Sequence, residues 1–184
     1  MRTKIVTGSF ALAVVAAVGG GLVGAGDRGE RAGHDRADVA PATDARYRAA
    51  CGECHMAFQP GLLPAAAWDR VMATLDRHFG DDAQVPPATA DAVRDYLAAN
   101  AADRTDGRRA AGFGSPGAGS ATSLPRITET RYFSGKHHDV PARLATGNPQ
   151  VRSFANCPAC HQRAEAGSYN EHEVRIPGAG PWHD

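Results

Sequence analysis

The sequence predicts a mainly α-helical fold built as two short units, the second with little regular secondary structure. Three observations carry this. Large apolar residues recur at helical spacing across residues 44–104. Residues 124–184 are punctuated by Pro and Gly and show no such period, and a Gly/Ala/Ser-rich stretch separates the two segments.

In the first unit, Asp44 is a helix cap for a short helix running through Tyr47 into Cys51. Pro64 then stands where helices start. Trp68, Val71, Met72, Leu75 and Phe79 follow at helical spacing until Gly80, which predicts one helix over 64–80. Pro86-Pro87 and Thr89 open a third helix, with Val93, Tyr96, Leu97 and Ala101 on its apolar side. Residues 105–123 (TDGRRAAGFGSPGAGSATS) hold one large apolar residue, Phe113, and read as a linker. In residues 124–184, Pro125, Gly135, Pro141, Gly147, Pro149, Pro158, Gly167 and Pro177 imply loop with one or two short helices.

The N-terminus reads as a targeting segment. Arg2 and Lys4 precede an uncharged Ala/Val/Gly-rich run that ends in the small-x-small pattern Val23-Gly24-Ala25, so residues 1–25 are expected to be a cleaved signal peptide. An uncleaved anchor is the rival, because about twenty uncharged residues just span a bilayer. The many small residues and Gly19-Gly20-Gly21 weaken it. Both readings place the remainder outside the cytoplasm, in the periplasm. Residues 26–43 are polar and read as a flexible tether, with His34 solvated in it.

The 184 residues carry 20 Lys+Arg against 20 Asp+Glu, which argues against a nucleic-acid partner. Without residues 1–25 the balance is 18 basic to 20 acidic, and Lys136 is the only remaining lysine. Each unit is 61 residues long with few aromatics, a size that usually needs a metal, disulfides or a cofactor as a staple.

The four cysteines identify that staple. All of them fall in two copies of one pattern, Cys51-Gly52-Glu53-Cys54-His55 and Cys157-Pro158-Ala159-Cys160-His161. C-x-x-C-H attaches c-type haem: two thiols one turn apart reach the two vinyl groups on one porphyrin edge, and the next imidazole meets the iron. A zinc site built from both pairs would have to join cysteines 106 residues apart. Thioredoxin-like pairs need a βαβ setting that the pattern lacks. Two disulfides leave each following His without a reason. Two covalent haem c groups are therefore expected, bound through Cys51, Cys54, Cys157 and Cys160, with His55 and His161 as iron ligands.

The stretches CGECHMAFQPGLLPAAAWDRVMATLDRHFG, LPRITETRYFSGKHHDVP and ANCPACHQRAEAGSY resemble the periplasmic dihaem cytochrome c family of proteobacteria. The resemblance covers most of residues 45–177. It implies a class I-like cytochrome c unit at the N-terminus and a C-terminal haem unit with little regular structure. It also implies low-potential, bis-histidine electron carriers, some of which pass electrons to a small oxygen-binding monohaem cytochrome; a membrane cytochrome is another possible redox partner.

A low-spin electron-transfer haem needs a second axial ligand, usually Met or His. Met56 directly follows His55 and cannot cross to the opposite face of the same haem, so Met72 is the only Met candidate for the first haem. No methionine lies beyond Met72, so the second haem has none within its own unit. His78 projects from the apolar face of the predicted helix and is the only histidine of its unit after His55, which favours it and leaves Met72 to the core. The resemblance aligns the RHFG segment with a distal-ligand helix. For the second haem the candidates are His137, His138, His172 and His183. Adjacent residues of an extended segment face opposite sides, so one of His137 and His138 reaches the iron. Alignment of the family on Val140-Pro141 favours His137.

The expected function is electron transfer between redox proteins, without catalysis and without a small-molecule substrate. The alternatives are a dihaem peroxidase or gas-binding haem enzyme with one open axial position, and a haem-bearing interaction module.

Overall fold

Asp44 starts the first helix as its cap: Oδ1 accepts the Tyr47 N–H at 2.9 Å, and that bond holds the carboxyl below its ordinary range. The helix, α1, spans Ala45–Cys51. The computed structural model describes residues 37–114 and 124–182. The expected signal peptide, His34, residues 115–123 of the expected linker and His183 lie outside the described residues. Among the described residues the fold is helical, with five α-helices, short 3-10 turns and one two-stranded ladder. No helix among them is long and apolar enough to cross a membrane.

Helix α2 (Ala65–Met72) follows Pro64, which has no side-chain oxygen to cap it. Asp103 does so from a distance, its Oδ1 accepting the Ala65 N–H at 2.8 Å. Helix α3 (Pro87–Ala99) buries Val93 and Leu97. Those two residues pack with Tyr47, Trp68, Val71 and Met72 into one core shared by α1, α2 and α3. The polar ends of its aromatics are satisfied: Tyr47 donates to the Phe58 carbonyl and Trp68 Nε1 to that of Pro60, each at 2.7 Å.

The expected single helix over 64–80 is corrected. Helix α2 ends at Met72; a 3-10 turn, Leu75–Arg77, follows, and His78 is extended. Thr74 makes the break. Its hydroxyl donates to the Arg70 carbonyl at 2.8 Å, occupying a group that the next helical amide would have used. The Ala83 N–H then returns to the Leu75 carbonyl at 2.8 Å, closing residues 75–83 into a loop.

Part of the expected linker is also ordered. Residues Arg108–Phe113 form helix α4, and Phe113 is buried with its ring 4.8 Å from that of Tyr132. The end of the expected tether is fixed as well. Val39 is 2% exposed, and Asp38 and Val39 both donate backbone N–H groups to the Gly167 carbonyl. Asp38 also pairs with Arg109 at 2.8 Å. Gly167 has φ +77°, and a Cβ there would sit 2.0 Å from the Val39 carbonyl oxygen, so only glycine fits.

In the second segment the one α-helix among the described residues is α5, Arg131–His137, capped by Thr130. Strands β1 (Arg175–Ile176) and β2 (Gly180–Pro181) pair antiparallel, with Arg175 opposite Pro181. The segments around the two cysteine motifs are tied together directly. Val39, Leu62, Ala102, Phe113 and Phe133 form a second apolar cluster that draws on both. Gln59, with no exposed surface, donates from Nε2 to the Ala164 carbonyl at 2.6 Å, and its Oε1 accepts from the Tyr169 hydroxyl at 2.5 Å. Leaving one such buried group unpaired costs about 1–3 kcal/mol.

Candidate haem centres

The two C-x-x-C-H motifs lie on different local scaffolds. Cys51 is the last residue of α1, and Cys54 and His55 follow in the turn beyond it. Cys157 opens a 3-10 turn, Cys157–Ala159. The ladder holds this second motif in place: the Arg175 N–H donates to the Cys160 carbonyl at 3.0 Å, and His161 bridges to Val174. None of the four cysteines is in a disulfide. Burial pushes the Cys51 and Cys157 thiols up to about 11, so neither is poised as a reactive thiolate. Among the described residues no three His, Cys, Asp or Glu side chains gather as a zinc cage requires.

Each motif histidine faces one distal candidate. The His55 and His78 rings are 6.2 Å apart, centre to centre, with planes 25° apart. The His137 and His161 rings are 6.1 Å apart with planes 74° apart. One metal ion bound by two opposed imidazoles needs about this spacing: two bonds of about 2.0–2.1 Å, plus about 1.1 Å from each nitrogen to its ring centre, make about 6.2 Å.

The protonation pattern suits the same task. His55 Nδ1 lies 2.8 Å from the Met56 carbonyl, and His137 Nδ1 lies 2.9 Å from that of Phe133. A carbonyl only accepts, so Nδ1 carries the proton and the lone pair is on Nε2, the ligating form. Nδ1 of His78 and of His161 is buried with no hydrogen-bond partner. Burial, with His137 and Arg109 nearby, pushes His161 down to about 4, and burial also lowers His78. Both are therefore neutral near pH 7, as iron ligation requires.

Around the first pair, Phe58 packs 5.0 Å from the His55 ring and Phe79 lies edge-on to His78 at 4.7 Å. Phe79 adopts φ 53°, is 39% exposed and carries the Arg126 guanidinium 4.2 Å above its ring. Around the second pair, His137 stacks on Phe133 at 3.8 Å, Phe154 meets both edge-on, and Tyr169 packs 5.4 Å from His161. These rings border a cleft of about 1150 Å³ of empty space, open solvent at its mouth included. Cys157, Cys160, His137 and His161 all line it, among apolar residues such as Leu62, Phe113 and Val151. Arg109 and Lys136 place two cations on its wall, against one carboxylate, Glu171. An apolar macrocycle with two carboxylates fits that lining.

His138 is separated from its neighbour by conformation. Because His137 ends α5 and His138 is the helical cap, the pair is not extended as the sequence reading assumed. His138 is exposed, with Nε2 3.1 Å from Asp139 and Nδ1 3.0 Å from the Gly135 carbonyl. His172 is exposed, and Met72 is buried in the first core at 6%. Several residues of the sites went unnoticed in the sequence. Phe133 had a signal, since it lies four residues before His137 on one helix face. Gln59, Arg109 and Tyr169 had none, because their partners lie far away in the chain.

Comparison with known proteins points the same way. The family model for dihaem cytochrome c matches residues 47–169. The crystal structure of a dihaem cytochrome c from Shewanella baltica is 37% identical, with a TM-score of 0.62 over 76% of this chain and 97% of that one. A dihaem cytochrome c from Rhodobacter sphaeroides is 39% identical, with a TM-score of 0.60 over 71% of this chain and 100% of that one. No curated protein matches. The chain belongs to the dihaem cytochrome c family, as an electron-transfer cytochrome with two haem c groups.

Proposed function

We propose that this protein is a periplasmic, low-potential electron carrier in which each haem is held between two histidines. In this reading Cys51 and Cys54 anchor the first haem, with His55 and His78 as its axial pair. Cys157 and Cys160 anchor the second, with His161 and His137. The observation that carries the reading is the spacing of the two imidazole pairs, 6.2 and 6.1 Å.

Bound haem supplies a one-electron ferric/ferrous couple. The chain's own contribution is to hold both axial positions and to wrap the macrocycle in apolar residues. With two imidazoles and no Met sulfur, both potentials lie below those of a His/Met cytochrome. Residues 1–25 direct export in this reading, and the residues between them and the fixed Asp38 and Val39 tether the mature protein. Residues 44–104 form the class I-like unit, and residues 124–184 form the second haem unit, to whose cleft Arg109 and Phe113 of α4 also contribute. Its partners are redox proteins, a small oxygen-binding monohaem cytochrome or a membrane cytochrome among them.

Carbon monoxide tests the carrier against the gas-binding alternative. With both axial positions held, the reduced protein is expected to show no spectral change under carbon monoxide near neutral pH. Binding at either haem contradicts the reading.

A further inference from the structure

The motif histidines of the two haem sites are joined by an unbroken chain of contacts. The His55 ring packs on Phe58 at 5.0 Å. Phe58 is bonded to Gln59, whose Oε1 accepts from the Tyr169 hydroxyl at 2.5 Å. The Tyr169 ring lies 5.4 Å from His161. Resting on the ligand reading above, we propose that Gln59 and Tyr169 are positioning residues for electron exchange between the two haems, fixing one motif histidine against the other.

A buried amide is an odd choice if this position needed only filling, since an apolar side chain would do that without a desolvation cost. Gln59 instead spends its polar atoms on the segment that carries the second motif. Nε2 reaches the carbonyls of Ala164, at 2.6 Å, and Glu165, at 3.3 Å, three and four residues beyond His161. Tyr169 is held from its other end as well: its N–H donates to Asp38 Oδ2 at 2.6 Å, and Asp38 is clamped by Arg109. The bonds through which Gln59 joins the segments have defined directions, so they fix register where apolar packing alone allows slippage. The exchange itself moves one electron: one iron goes from ferrous to ferric as the other goes from ferric to ferrous, and no bond or proton changes place.

The test uses the full-length protein with both haems attached. Tyr169→Phe keeps the ring against His161 and removes only the hydroxyl. Gln59→Met removes the amide from the other side. After fast one-electron photoreduction, each variant is expected to redistribute the electron between haems severalfold more slowly than wild type. Each should also shift the electron paramagnetic signal of the second haem. Tyr96→Phe, which removes a hydroxyl in the first core that accepts only from the Thr43 N–H, is expected to leave both readouts unchanged. A wild-type rate and signal in Tyr169→Phe, or in Gln59→Met if Tyr169→Phe does not take up both haems, overturns the proposal. A wild-type protein lacking two six-coordinate haems overturns the ligand reading instead, whatever the variants do.

Discussion

Replacing His78 by Ala is expected to open the first haem, so that the reduced variant binds one carbon monoxide per protein where the wild type binds none. His78 is the side chain facing His55 at the ligating distance, and Met72, the sulfur that could substitute, is buried in the core of α1, α2 and α3. His137→Ala is expected to open the second haem and leave the first spectrum intact. His138→Ala should do neither, because its side chain is 69% exposed and engaged with Asp139. Carbon monoxide titration with visible spectra reads all three. If His138→Ala opens the second haem while His137→Ala leaves it closed, the assignment is wrong by one residue.

The double substitution of Cys157 and Cys160 by Ala has the largest expected effect on stability. In the proposed reading it removes both covalent anchors of the haem that would fill the cleft lined by Phe133, Phe154, Val151 and Ile176. The core of α1, α2 and α3 shares none of these residues, so the first haem should remain attached. The expected mass is that of the protein with one haem. The stability loss should resemble that of removing a covalent staple from a small domain, about 2–5 kcal/mol. For a chain of this size that is a fall in Tm of about 4–20 °C. A double variant that keeps the wild-type Tm would show that the second segment has a core of its own.

The haem motifs were legible because their chemistry is local. Two thiols and an imidazole at fixed spacing need no tertiary information, and the structure sets them on a helix end and a 3-10 turn. Helix α3 was legible too, since Pro86-Pro87 opens it and Val93 and Leu97 mark its buried face. Periodicity misled at 73–80. Leu75 and Phe79 continue the apolar spacing, but Thr74 ends the helix through its hydroxyl, and Phe79 lies outside the core beneath Arg126. His78 was thus singled out on a helix that stops six residues before it. Helix α4 was hidden by its Ala/Gly composition, and its stability comes from Phe113 packing on Tyr132 and Arg109 pairing with Asp38. The Gln59–Tyr169 bond spans 110 residues, and nothing local in the sequence signals it.

The most direct test of paired-histidine ligation at both haems is the electron paramagnetic spectrum of the fully oxidised protein, recorded with its near-infrared absorption. With these histidines as ligands, ring planes 25° apart at one site and 74° apart at the other would place the two irons in different ligand fields. Two distinct low-spin ferric signals of equal weight are expected, with no sulfur-to-iron charge-transfer band. A high-spin signal accounting for one haem, or a sulfur-to-iron band, would contradict it.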